Sequence, residues 1–188
     1  MRKIGLIGGS SWESTLEYYR ILNQLIGERL GYPHSAELVI CSMDFAKLVE
    51  LQEEEDWDGV DAMLAGYAAS LKAAGAECVL LCANTLHKSA EALEKAAILP
   101  LLHIGDITGR KIKENGLSSV GLLGTRITME GDFYARRIER GFGLKIITPQ
   151  EAEREKIQNI IYKELIQGII KDSSRDILMN IISSLAKR

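Results

Sequence analysis

Apolar residues in this chain fall into short runs that alternate with longer stretches of helical spacing. Residues 3–7 (KIGLI) form an apolar run that ends at Gly8-Gly9, the mark of a buried strand and a turn. Ser10 and Glu13 have capping-box spacing, so the pattern predicts a helix starting in SSWEST and running to about Leu30. A second strand is predicted at 37–41 (ELVIC). Val60, Leu64, Tyr67, Leu71 and Ala74 then recur at helical spacing over 57–74. ECVLLC (77–82) reads as a third strand, followed by a helix over roughly 85–96. Pro100 breaks that helix before LLHI (101–104), a fourth short strand. SVGLL (119–123) and LKIIT (144–148) are further strands, each followed by a helical stretch. The last helix, 174–187, carries Ile177, Ile181, Ile182 and Leu185 on one side. Such alternation predicts an α/β fold with parallel sheets and right-handed crossovers.

An internal comparison sharpens this. KIGLIGGSSWESTLEYYR aligns without gaps to SVGLLGTRITMEGDFYAR, 116 positions later. Gly5, Leu6, Gly8, Tyr18 and Arg20 meet Gly121, Leu122, Gly124, Tyr134 and Arg136. The match reads as a duplicated strand–turn–helix start, although any two strand–Gly–helix units share some likeness. It predicts two similar, pseudo-symmetric parallel-sheet halves with helices on both faces and a cleft between them, over residues 1–98 and 99–188. Ligands of open parallel sheets sit beyond the carboxyl ends of the strands. There the sequence places Gly8, Gly9 and Ser10, then Cys82, Ala83, Asn84 and Thr85, and in the second half Gly124, Thr125 and Arg126. Helix N-termini at such loops favour anions, so the cleft suits a small carboxylate.

Composition narrows the class. The 188 residues are 46% hydrophobic and 26% charged, enough to bury a core, with a net charge of −3. Lys and Arg are interspersed with Asp and Glu, which argues against a nucleic-acid footprint. The N-terminus is too short an apolar run for a signal peptide, and no segment reaches the length of a membrane span. Cys41, Cys78 and Cys82 have neither metal-ligand spacing nor disulfide density, which points to a reducing cytoplasm.

Cys82 has two readings from the residues alone. It is a small buried hydrophobe at a strand end, or a thiol with a depressed pKa at a helix N-terminus beside Asn84 and Thr85. Cys41 and Cys78 lie inside strands and read as inert core thiols. His87, one turn past Cys82, either tunes the thiol or is a supporting or surface residue. His103 reads as a core histidine with a site role as its alternative, and His34 as a loop residue. Arg126 pairs with a ligand carboxylate or with a protein carboxylate. Glu53, Glu54 and Glu55 read as a solvated face. Trp12, Tyr18 and Tyr19 read as packing for the first helix.

IGLIGGSSWESTLEYYR, VLLCANTLHK, PLLHIGD and VGLLGTRITMEGDFY, in this order, closely resemble the aspartate/glutamate racemase family. Hydantoin racemases, maleate isomerases and arylmalonate decarboxylases share the broader fold. The resemblance implies an isomerase that uses neither pyridoxal phosphate nor metal, acting on aspartate or glutamate, and a homodimer. It implies two cysteines facing the substrate Cα from opposite sides, one removing the α-proton and the other returning one. By match, Cys82 is the first. Asn84 and Thr85 match substrate-holding positions in the same loop, Thr125 a carboxylate-binding position and Gln52 a site-facing position. Gly9 and Ser10, by their place after the first strand, are read as further substrate contacts.

The family's second cysteine, in a Gly-Cys-Thr-Glu segment, has no counterpart in this sequence. The repeat says the same: adding the offset of 116 to position 82 gives roughly 198, beyond Arg188. The second half is therefore read as incomplete. A shortened chain is favoured over a natural one-cysteine variant, because the break precedes a needed core element. The resulting functional expectation is a racemase impaired by one missing base. The alternatives are a single-cysteine isomerase of maleate-isomerase type and an inactive carboxylate-binding protein.

Overall fold

The structure is a computed structural model that describes every residue except Ala97. The chain divides into two compact units, Met1–His103 and Ile104–Arg188. No helix among the described residues is long and apolar enough to cross a membrane.

The first unit is built on a parallel sheet of β1 (Ile4–Gly8), β2 (Leu38–Ser42) and β3 (Cys78–Leu81), in the order β2-β1-β3. Ile7 pairs with Cys41 on one side and Leu81 on the other. Helix α1 (Trp12–Leu30) connects β1 to β2. Helices α2 (Phe45–Glu53) and α3 (Trp57–Ala73) connect β2 to β3. The two crossovers run in opposite directions across the sheet, so right-handedness puts α1 and α3 on opposite faces. The α3 face holds the main core: Ile7, Val60, Leu64, Leu71, Val79 and Leu81 are all 1% exposed or less. The 57–74 periodicity is thus realised as a core-facing stripe.

The second unit holds a two-stranded parallel sheet of β4 (Ser119–Gly121) and β5 (Lys145–Ile147). Five helices belong to this unit: α5 (Ile104–Glu114), α6 (Arg126–Glu130), α7 (Asp132–Phe142), α8 (Glu151–Lys163) and α9 (Asp172–Leu185). The Arg137 guanidinium bridges both Asp106 oxygens at 2.7 Å and joins α7 to α5. Met129, Ile157, Ile181 and Leu185 form one core cluster, and Tyr134, Ile138 and Leu144 another.

The pattern of parallel strands and intervening helices matches the sequence reading, with local corrections. LLHI is not a strand: Leu101 makes a single bridge to Val79, and Ile104 already opens α5. The stretch after β3 starts as a 3-10 turn, Thr85–Ser89, before α4 (Ala90–Ala96). Helix α2 carries no signal that the pattern separated from its neighbours. Trp12 and Tyr19 do not pack α1: they are 62% and 49% exposed, and Thr15 is the one buried residue of that helix. On α9 the buried stripe is Ser174, Ile181 and Leu185, which leaves Ile177 and Ile182 exposed. The second copy of the repeat keeps its strand and turn, but its helix breaks at Gly131 into α6 and α7.

Candidate active site

In a parallel sheet ordered β2-β1-β3, the chain leaves β1 toward one neighbour and later returns to the other side of it. The loops after β1 and β3 therefore diverge, and the crevice between them is the switch point where α/β folds take ligands. Gly9 and Ser10 follow Gly8 at the end of β1, and Cys82, Ala83 and Asn84 follow β3, so the two segments flank that point.

Glycine makes the first loop. A Cβ on Gly8 would stand 2.4 Å from the Thr15 side chain, so glycine there lets the first turn of α1 close on the end of β1. Gly9 adopts φ +89°, and a Cβ there would stand 2.4 Å from the Met43 carbonyl oxygen. Its amide donates to Thr15 Oγ1 at 3.0 Å.

The second loop is tied to the first through Cys82. Its amide donates to the Ile7 carbonyl at 2.9 Å, and its carbonyl accepts from the Ser14 hydroxyl at 2.8 Å. The thiol is 2% exposed. Burial pushes it from an ordinary 9.0 up to about 12, against the opposing pull of a hydrogen bond with Thr15. Thr15 Oγ1 accepts from Gly9 and has its own proton to turn toward the sulfur. The depressed thiol pKa expected from the sequence is thus overturned. Desolvation outweighs the Thr15 hydroxyl.

His87 supports this loop. Its Nδ1 lies 3.0 Å from the Ala83 carbonyl, which only accepts, so that nitrogen carries the proton. The ring meets His103 edge to face with centroids 4.5 Å apart, and both are 2% exposed. Of the two readings of His87, a surface position is excluded.

Gly9, Ser10, Cys82, Asn84 and Thr85 thus stand at one edge of the first unit. Gln52, half-buried in the last turn of α2, joins none of these hydrogen bonds. Thr125 lies in the second unit as the N-cap of α6, its Oγ1 accepting from the Thr128 amide at 3.3 Å. Arg126 pairs there with Glu130 at 3.4 Å, the protein-carboxylate alternative. Sequence reasoning did not single out Ser14 and Thr15. Their signal was two hydroxyls in the first helical turn after a Gly-Gly strand end. Cys41 and Cys78 are half-buried within β2 and β3, and burial raises both thiols. Among the described residues, no three His, Cys, Asp or Glu side chains group as a metal site would need.

The structure is similar to a crystal structure of a candidate Asp/Glu racemase from Yersinia pestis. That protein is 46% identical, the match covers all of this chain and 81% of that one, and the TM-score is 0.91. An aspartate racemase homologue from Pyrococcus horikoshii is 35% identical over 92% of this chain and 75% of its own, with a TM-score of 0.78. Aspartate racemase from Picrophilus torridus, at 16% identity, covers all of this chain and 78% of its own. It shares the fold with a TM-score of 0.78. The Asp/Glu/Hydantoin racemase family model matches residues 7–188. With that match and these identities, the chain belongs to the Asp/Glu/Hydantoin racemase family, a family of isomerases.

Proposed function

We propose that this protein moves the α-proton of aspartate or glutamate through the thiol of Cys82, without a cofactor. The observation that carries the proposal is the position of Cys82 just past the end of β3, its amide and carbonyl tied to Ile7 and Ser14 beside the β1 loop, in a chain of this family. In the reaction the Cα–H bond breaks, the proton passes to a thiolate sulfur, and the electron pair spreads into the α-carboxylate. A proton delivered to the opposite face gives the enantiomer. Gly9, Ser10, Asn84 and Thr85 hold the substrate and Gln52 faces the site in this reading.

With a pKa of about 12, Cys82 holds its proton at neutral pH and stands ready as the acid. The base role requires positive charge brought beside the sulfur, and an amino acid carries that charge on its ammonium group. Cys41 and Cys78 lie within strands, so Cys82 is the proposed proton carrier for one face. The alternative, addition of the Cys82 sulfur to the double bond of an unsaturated diacid, needs a thiolate in advance. Proton abstraction needs the same thiolate, but an unsaturated diacid brings no ammonium group to offset its charge. A reducing cytoplasm keeps the thiol competent, and the family resemblance adds a homodimer, which light scattering in solution tests.

The test is incubation in D2O with L-aspartate and L-glutamate, beside a Cys82→Ala control. Deuterium incorporation read by NMR, together with the D-isomer on a chiral column and dependent on Cys82, supports racemisation. Exchange without inversion leaves Cys82 working on one face. Binding that survives Cys82→Ala with no exchange in either protein supports the inactive carboxylate-binding reading. No exchange and no binding overturns the proposal.

A further inference from the structure

Among the described residues, four buried side-chain oxygens have no hydrogen-bond partner: Ser10 Oγ, Glu13 Oε2, Asn84 Oδ1 and Ser89 Oγ. Three of the four lie on the two segments that flank the switch point. Ser10 and Glu13 follow β1, and Asn84 follows β3. The Ser14–Cys82 hydrogen bond of 2.8 Å holds these segments together, with Glu13 next to one partner and Asn84 two residues past the other. A buried oxygen without a donor costs roughly 1–3 kcal/mol, more when it is charged, so three such atoms at one edge ask for a reason.

Local backbone geometry explains why Glu13 is uncommitted. The sequence predicts a capping box between Ser10 and Glu13, but α1 starts one residue later than that spacing requires. Ser11 is the N-cap, the Ser14 hydroxyl turns to the Ser11 and Cys82 carbonyls, and no side chain caps the helix. Glu13 is left in the first turn with one oxygen buried and unpaired.

The chemistry of these atoms selects their ligand. An ionised Glu oxygen and an amide oxygen only accept, and a serine hydroxyl accepts as well as donates. A carboxylate ligand has no proton for them. Acceptors of this kind call for N–H donors on a positively charged group, and on an amino acid that group is the α-ammonium. Building on the reading of this site as that of an amino-acid racemase, we infer that Glu13 binds the substrate's α-ammonium group, with the Asn84 side-chain oxygen as a second acceptor. Glu13 is then the residue that restricts the site to amino acids and rejects the same diacids without the amine.

The test compares matched ligands by calorimetry on the full chain: L-aspartate against succinate, and L-glutamate against glutarate. Wild-type protein is expected to prefer the amino acid in at least one pair by about tenfold or more, as a charge-assisted hydrogen bond would give. Glu13→Gln, similar in shape but neutral, is expected to shrink that preference to about threefold or less while diacid affinity stays within about twofold. Glu13→Asp keeps the charge and is expected to retain part of the preference, and circular dichroism checks that both variants fold. Full preference retained in Glu13→Gln, or equal loss of amino acid and diacid, overturns the inference and leaves the racemase reading intact. Wild-type binding of diacids and amino acids with equal affinity overturns it as well. Binding of neither class overturns the racemase reading, and the inference falls with it.

Discussion

The Ser14 hydroxyl donates to the Cys82 carbonyl at 2.8 Å, linking the first turn of α1 to the end of β3 across 68 residues of sequence. That hydroxyl also lies 3.1 Å from the Ser11 carbonyl. Both carbonyls only accept and the hydroxyl has one proton, so the shorter contact to Cys82 takes the larger share. One side chain thus sets the helix start and the position of the thiol together.

Replacing Ser14 with alanine is expected to lower unfolding free energy by about 1 kcal/mol, the usual net worth of such a bond. The effect on Cys82-dependent α-proton exchange should be larger, on the order of tenfold, because small displacements of a reacting group are costly. Urea unfolding and the D2O exchange rate, measured side by side, check this. An exchange rate equal to wild type would show that the bond serves stability alone.

The raised Cys82 pKa has a defined consequence for stability. The folded thiol keeps its proton after the unfolded thiol has lost it, so its contribution is fully present below pH 9.0. It is lost as pH rises through the window from 9.0 to about 12. Cys82→Ser should therefore show a flatter alkaline limb than wild type in urea midpoints between about pH 9 and 11. Cys41 and Cys78 are shifted the same way, so the difference between the two proteins isolates Cys82. Thr15→Val removes the one stabilising hydroxyl and should push the thiol higher still. Thiolate absorbance at 240 nm follows the titration directly, and a Cys82 thiolate formed near neutral pH would refute the assignment.

Gly9 should not tolerate a side chain. Alanine there meets a φ of +89° and stands 2.4 Å from the Met43 carbonyl oxygen, both of them backbone constraints that no rotamer relieves. A loss of at least about 2 kcal/mol in urea unfolding is expected, with weaker ligand binding in any folded fraction. Wild-type stability in Gly9→Ala would mean the β1 loop has a second conformation.

His87→Leu keeps the volume near His103 but leaves the Ala83 carbonyl without its donor. The expected cost is on the order of 2 kcal/mol, with faster amide hydrogen exchange in the Cys82–Asn84 loop. His87→Asn keeps an N–H and should lose less. Equal behaviour of the two variants would assign the role of His87 to packing alone.

Much of the frame was legible because it rests on local patterns. The buried strands read as apolar runs, and α3 read as Val60, Leu64 and Leu71 at helical spacing. The departures have physical causes. LLHI looks like a strand by composition, but Pro100 removes a donor and Leu101 finds a bridging partner only in Val79. The Ser10–Glu13 spacing looks like a capping box, but the close approach of Thr15 to Gly8 accompanies a helix that starts at Trp12. Ile177 and Ile182 fit a helical stripe, but the face that packs on α8 is the one carrying Ser174, Ile181 and Leu185.

By itself the sequence determined the alternation of strands and helices, the glycine turns after β1 and β4, and a cysteine at the end of β3. Each depends on the order of residues within one short segment. Tertiary structure decided which of those residues act together. It placed Ser14 and Thr15 against Cys82, buried His87 on His103, raised the thiol's pKa and left Glu13 and Asn84 with unpaired oxygens. Burial and hydrogen-bond partnership are properties of atoms brought close by the fold from distant points of the chain. No pattern confined to one segment encodes them.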